Sequence, residues 1–287
     1  MPSGFDPIGQ VTFVGTATTV LRLGGFTLLT DPNFLHAGQR AYLGYGLSSR
    51  RLTDPAMQLA ELPDLDAIVL SHMHGDHFDR IARDGLPKSL PIFTTTQAQR
   101  RLRRWGFAAA DGLDTWERRE LHHGRERLSI TAVPGHHGPG LLDRLLPAVM
   151  GSIIDLERDG QRLLRLYVTG DTLYHPSLAE IPERFPDIDA MLLHLGGTRI
   201  LGFLVTMDDR QGVDLMRLVK PQVTLPIHYD DYRVFRSPLR DFLATAAEQG
   251  LRPAIQTLRR GETRPLFGHT TSRGGDIRSG TGSHGQP

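Results

Sequence analysis

Ser71-His72-Met73-His74-Gly75-Asp76-His77 places four side chains able to hold a metal, three imidazoles and one carboxylate, within six consecutive positions. Directly before it, Asp66-Ala67-Ile68-Val69-Leu70-Ser71 is a continuous apolar run with an acidic start, the pattern of a strand buried on both faces. The cluster is therefore expected at the end of an interior strand. His72 and His74 are two apart, so in extended backbone both imidazoles project to one side and reach one ion. Gly75 permits a sharp turn that sends Asp76 and His77 toward a second ion nearby. The chain has no cysteine, so any such site is built from imidazole and carboxylate, a set suited to zinc and also to iron or manganese.

Upstream, Val11 to Gly15, Thr19 to Leu23 and Phe26 to Thr30 are β-rich runs, the last two joined by Gly24-Gly25 as a hairpin turn. Downstream, Pro91 to Thr94 reads as a short strand and Thr96 to Trp105 as a helix, with Thr96 as N-cap and Gly106 at its end. Further strands are expected at Leu128 to Val133, Val149 to Leu156, Leu163 to Thr169, Ala190 to Leu195 and Gln222 to Ile227. The spacing predicts a helix over Arg210 to Val219, capped by Asp208 or Asp209 and stopped by Lys220-Pro221. Another is predicted over Pro238 to Gln249, capped by Ser237, with Pro238 at its first position and Gly250 closing it. Leu35 to Arg50 and Pro139 to Pro147 read as pocket-lining loops without a chemical signature. Strand pairs at the start, then strands alternating with helices, predict a mixed α/β layered domain rather than an all-parallel one.

The chain has 287 residues, 39% of them hydrophobic, enough for a substantial core. No apolar run approaches the roughly 20 residues that span a bilayer, and Met1 to Gln10 lacks a basic stretch followed by an apolar core. A cytoplasmic protein with no integral membrane contact is expected. A formal charge of +1 gives no overall field to attract nucleic acid, so no such partner is expected. Gly268 to Pro287 is rich in Gly, Ser and Thr and nearly free of apolar residues, and is expected to be a disordered tail. With residues 1–9 expected to be flexible, 10–267 form one catalytic domain.

His72-Met73-His74-Gly75-Asp76-His77 resembles the His-x-His-x-Asp-His signature of the metallo-β-lactamase superfamily. The resemblance implies a four-layer αββα sandwich and later ligands at strand ends. Val133-Pro134-Gly135-His136-His137 resembles the third-histidine position, with His137 or His136 as the ligand. Tyr167-Val168-Thr169-Gly170-Asp171-Thr172 resembles the strand whose Gly-Asp bridges both metals through Asp171. Pro226-Ile227-His228-Tyr229 resembles the final ligand position, at His228. One ion would then take His72, His74 and His137, the other Asp76, His77 and His228, with Asp171 between them. Leu29-Thr30-Asp31-Pro32 and Asp79 look most like the branch holding the N-acyl phosphatidylethanolamine phospholipase D and the ascorbate-6-phosphate lactonase. Asp31 and Asp79 are expected to orient metal-ligating histidines rather than bind metal.

This resemblance implies two divalent ions, zinc before manganese or iron, and a metal-bridging hydroxide that cleaves a small ester, lactone or phosphodiester. Asp76 would orient the nucleophile. Tyr229, just past His228, would contact substrate or protonate the leaving group, where a polar loop is the plainer reading. The expected partner is a small-molecule substrate, with room for a homo-oligomer. The alternatives are a di-iron redox enzyme on the same fold and a catalytically silent metal-binding protein. The first typically has glutamate where this chain has His74, and the second would lack a ligand, whereas none is missing. His122 and His123 read as surface residues, and His194, at the end of a buried-looking strand, as a hydrogen-bonded core histidine.

Overall fold

Val11 and Phe13 turn to one side of their strand and Val14 to the other, the alternation that lets a sheet bury both of its faces. The computed structural model describes residues 8–140 and 142–266; apart from Ile8 and Gly9, the segment expected to be flexible lies outside the described residues, as does the tail from Gly268. Gly9 already pairs with Leu23, so the first strand starts one residue before the expected domain edge.

In chain order the strands are β1 (Gly9–Gly15), β2 (Thr18–Leu23), β3 (Phe26–Thr30), β4 (Arg40–Gly44), β5 (Leu47–Arg50), β6 (Ala67–Val69), β7 (Ile92–Thr95) and β8 (Ala110–Leu113). They continue as β9 (Arg118–His123), β10 (Glu126–Val133), β11 (Gly151–Arg158), β12 (Gln161–Val168), β13 (Ala190–His194), β14 (Arg199–Ile200), β15 (Phe203–Leu204), β16 (Val223–Ile227) and β17 (Thr263–Pro265). The helices are α1 (Arg80–Gly85), α2 (Thr96–Arg104), α3 (Leu142–Leu145), α4 (Glu180–Arg184), α5 (Asp209–Val219) and α6 (Leu239–Glu248).

One sheet runs β17-β1-β2-β3-β6-β7-β8 and the other β16-β13-β12-β11-β10-β9. Leu21, Leu28 and Val69 of the first meet Ile130, Ile154, Leu166, Leu192 and Leu225 of the second in the central core. The opposite side of the first sheet, with Val20, Leu29 and Ile68, packs under Ala82 of α1 and Ala98 and Leu102 of α2. The opposite side of the second, with Met191 and Leu193, packs under α5 and α6 through Val213, Met216, Phe242 and Ala246. This is the expected αββα sandwich. Pro226 is tolerated within β16 because that strand is the sheet's edge. No helix among the described residues is long and apolar enough to cross a membrane.

Several details differ from the sequence reading, among them α3, which lies within the expected loop Pro139 to Pro147. Thr95 rather than Thr96 caps α2, accepting from the Ala98 amide, and Pro238 is the N-cap of α6. Ser237 instead accepts the Asp209 amide at 3.0 Å and so ties the start of α5 to α6. Leu35 to Arg50 is no plain loop: β4 and β5 pair within it as a separate two-stranded sheet.

Candidate metal centre

β3, β6, β12, β13 and β16 release Asp31, His72, Asp171, His194 and His228 at or just beyond their C-terminal ends, and β10 leads to His137. The parallel pairings β3–β6 and β12–β13–β16 align those ends, so residues far apart in sequence meet at one edge of the sandwich. The motif loop is anchored where it leaves β6. Ser71 donates to Asp31 Oδ1 through its amide at 2.8 Å and its hydroxyl at 2.9 Å, and that hydroxyl lies 3.0 Å from His72 Nδ1.

His72, His74 and His137 form one convergent set. His74 Nδ1 lies 3.0 Å from His72 Nε2 and 3.1 Å from His137 Nε2. Nitrogens bound about 2.0–2.1 Å from one tetrahedral ion are about 3.3 Å apart, so this spacing fits a shared cation. His137 Nδ1 donates to the Val205 carbonyl at 2.8 Å, leaving Nε2 free to ligate. His136, by contrast, is exposed and pairs through Nδ1 with Asp143 at 2.9 Å. The geometry places His137, and not His136, beside His72 and His74.

Asp76, His77 and His228 form the second set. His77 Nε2 and His228 Nε2 are 3.1 Å apart, and His228 Nδ1 donates to the Leu195 carbonyl at 3.0 Å. Asp171 joins the sets: its Oδ2 is 3.2 Å from His77 Nε2, and it groups with both His72 and His77. Asp76 Oδ1 and Asp171 Oδ1 are buried with no hydrogen-bond partner among the described residues. Buried polar atoms left bare are costly unless they face an ion, so these residues fit a metal site.

The electrostatics divide the two sets. Burial and the neighbouring imidazoles hold His74 neutral, with its pKa down to about 3, and push His72 well below the usual imidazole range. His77 is the reverse: burial opposes its charge, but Asp171 and Asp31 on either side raise it well above that range. His228 is also raised, against burial, by Asp171 and Asp76.

Asp31 stands behind His77, its Oδ1 3.4 Å from Nδ1 and its Oδ2 3.6 Å from His194 Nε2. His194 is hydrogen-bonded and buried, as expected, but sits at the rim of the centre, stacked on His77 with ring centroids 6.0 Å apart. Its place at a strand end before Gly196-Gly197 was the signal for that.

Two expectations need correction. Asp79 touches no metal-ligating histidine: it accepts from the Phe34 amide, the Leu35 amide at 2.6 Å and the Ala82 amide at 2.8 Å, because it is the N-cap of α1. Tyr229 does not face the ligands. Its half-buried ring packs into the core beneath α5 and α6, because His228 adopts a left-handed φ of 63° and breaks the strand alternation. No sequence pattern pointed to Asn33 and Arg51. Asn33 Nδ2 donates to the Gly75 carbonyl at 2.9 Å, and fully buried Arg51 donates to the Asn33 carbonyl at 3.0 Å.

The role of Gly75 also differs from a turn requirement, since its φ is not left-handed. A Cβ there would meet the Tyr42 amide nitrogen and carbonyl oxygen at 2.7 Å, and the Gly75 amide donates to that carbonyl at 2.9 Å. Close approach of β4 is what demands glycine.

The family model described as Beta-lactamase superfamily domain matches residues 27–229, which carry every candidate ligand described above. The chain belongs to the metallo-β-lactamase superfamily. Within it, the chain is 24% identical over 212 residues to a metal-dependent hydrolase of Nanoarchaeum equitans, covering 72% of this chain and 88% of that one. It is 26% identical over 236 residues to the N-acyl-phosphatidylethanolamine-hydrolyzing phospholipase D 1 of Caenorhabditis elegans, covering 77% of this chain and 64% of that one. The crystal structure of an isothiocyanate hydrolase from Delia radicum gut bacteria superposes with a TM-score of 0.74 at 21% identity, over 89% of this chain and 98% of that one, and shares this superfamily fold. The chain spans 66% of the length of its mycobacterial relatives.

Proposed function

We propose that this superfamily member is a dinuclear metal-dependent hydrolase of a small ester, lactone or phosphodiester. The observation that carries the reading is the convergence of seven candidate ligand side chains on two adjoining points, with Asp76 Oδ1 and Asp171 Oδ1 buried and without a hydrogen-bond partner among the described residues. His72, His74 and His137 would hold one ion and Asp76, His77 and His228 the other, with Asp171 placed between the two sets. Zinc suits the donors first, with manganese and iron also compatible. When bound, two such ions polarise a substrate oxygen and lower the pKa of water toward neutrality.

The chain's own groups do the rest. The Val205 and Leu195 carbonyls fix the tautomers of His137 and His228. Asp76 offers one oxygen 3.7 Å from His228 Nε2 and a second that is bare, so it can ligate and also take the proton of the attacking water. No serine or cysteine nucleophile is needed. Burial of the ligands keeps bulk water out, which strengthens each electrostatic contact in the transition state.

The test measures bound metal in purified protein, then turnover of lactones, aryl esters and bis-p-nitrophenyl phosphate by the wild type and Asp171→Ala. Two equivalents of metal and a large loss in the variant are expected. Less than one equivalent per chain sinks the dinuclear reading, and turnover unaffected by Asp171→Ala sinks the bridging role.

A further inference from the structure

Beside the metal ligands, and meeting them only at His74, lies a cavity of about 560 Å3. Met73, His74 and Gly75 form its floor. One wall is the β4–β5 hairpin, with Arg40, Tyr42 and Tyr45; the other is α1 and α2, with Arg80, Arg83, Arg101 and Arg104. The arginines on each helix are three residues apart, so each pair lies on one helical face. Trp105, at the end of α2, organises two of them: the Arg101 and Arg83 guanidinium carbons stand 4.8 and 5.5 Å from its ring centre.

Five guanidinium groups thus surround one concavity in a chain whose net charge is only +1. Among the described residues, only Arg83 of the five is in an ion pair, with Asp84 at 2.7 Å. Arg40 is held by Ser48, through the hydroxyl at 2.9 Å and the carbonyl at 3.0 Å. Asp79, the acid that lines the cavity, spends its oxygens on backbone amides. Like charges gathered in a concave site repel one another and focus a positive field that an anion relieves. Guanidinium is also the group best shaped to hold an oxyanion through two parallel hydrogen bonds. Leu35, Met73 and Phe78 make the interior apolar, and Tyr42 and Tyr45, 53% and 71% exposed, stand over the mouth.

We propose that this cavity is a specificity subsite, which holds an oxyanion group at the end of the substrate remote from the bond cleaved at the metals. The substrate class is an ester or lactone with an apolar body and a remote anionic group. This rests on the hydrolase reading above. A cavity of this size favours a small molecule over a nucleic-acid strand.

The test uses two p-nitrophenyl esters of one ω-phosphonoalkanoic acid, with the phosphonate either free or masked as its neutral dimethyl ester. Both are assayed with the metal-loaded wild type and with the doubly substituted Arg80→Gln/Arg104→Gln protein, whose changes fall at exposed positions. The wild type should favour the charged ester in kcat/KM, less so as salt rises. That preference should fall by about tenfold or more in the variant, since two charge-assisted hydrogen bonds are lost.

A second arm needs no turnover: calorimetry of phenylphosphonate binding, weakened in the same variant. If the wild type cleaves neither ester, the hydrolase reading is decided by the lactone and phosphodiester assays above, and the calorimetry alone decides on the cavity. Equal use of both esters by the wild type, or phenylphosphonate binding unchanged in the variant, overturns the proposal. The same loss on replacing Arg22 and Arg240, outside the cavity, overturns it in favour of bulk charge. Single-stranded oligonucleotide binding that is lost in the variant while phenylphosphonate binding persists overturns it in favour of nucleic acid.

Discussion

Oδ1 of Asp31 holds the Ser71 amide at 2.8 Å and lies 3.4 Å from Nδ1 of His77, so one carboxylate fixes both the start of the motif loop and its last ligand. Burial opposes the Asp31 charge, yet His77 and His194 outweigh it and bring the carboxyl down to about 2, so it is ionised at any working pH. Asp31→Asn keeps the shape but removes the charge that makes His77 a good ligand. Metal affinity should fall by about 10–100-fold, measured by competition with a chromogenic chelator. Unchanged affinity would remove Asp31 from the centre.

His136 and His137 offer a contrast between neighbours. His137→Ala removes a nitrogen 3.1 Å from His74 Nδ1, and metal content should fall by one equivalent. His136→Ala should retain the full complement, because that ring is exposed and turned to Asp143. The reverse pattern would reassign the ligand.

Arg51 supports the centre from behind. It is fully buried, with Nη2 3.8 Å from Asp231 Oδ1, and it donates to the Asn33 carbonyl, while Asn33 holds Gly75. Removing one member of a buried pair strands the other charge, so Arg51→Ala should lower unfolding free energy by about 3 kcal/mol in urea titrations. Arg260, 3.1 Å from Asp231, keeps the cost near the low end of the usual range. A loss under about 1 kcal/mol, the scale of an exposed pair, would refute this role.

Metal-free protein should be most stable near neutral pH. His74 and His175 are depressed to about 3 and about 4 by burial, and His72, His137 and His194 are lowered by burial too. Below about 6.5 the unfolded chain takes up protons that these folded groups refuse, so stability falls as pH falls. His77 and His228 are raised, so both states hold their protons below about 6.5. Above it the folded state alone keeps them, and stability declines through their folded pKa. Thermal midpoints of chelator-treated protein between pH 5 and 9 would show the maximum; a monotonic rise would contradict it.

The candidate ligand cluster was legible because four donors within six residues leave few alternatives, and the family resemblance then pointed to Asp171 and His228 at strand ends. The order of strand and helix runs made the mixed α/β layering legible, while the four-layer arrangement was implied by the family resemblance. Other features depended on contacts the sequence does not encode locally. Val205 lies 68 positions from the histidine it orients. Asp79 caps a helix of six residues, too short to show a period. Tyr42-Leu43-Gly44-Tyr45-Gly46 lacks the alternation of a half-buried strand, since its hairpin forms a sheet of its own. Tyr229 failed because a single left-handed residue, His228, redirects the chain.

The contact between Gly75 and Tyr42 turns one motif position into a gauge. With a Cβ barred at 2.7 Å, the hairpin can lie against the ligand loop only while that position stays glycine. Any member of the superfamily with a bulkier residue there must hold its hairpin farther out, and so have a wider entrance. The spacer between the second histidine and the aspartate, silent in the chemistry, would then sort such proteins by the girth of substrate they admit.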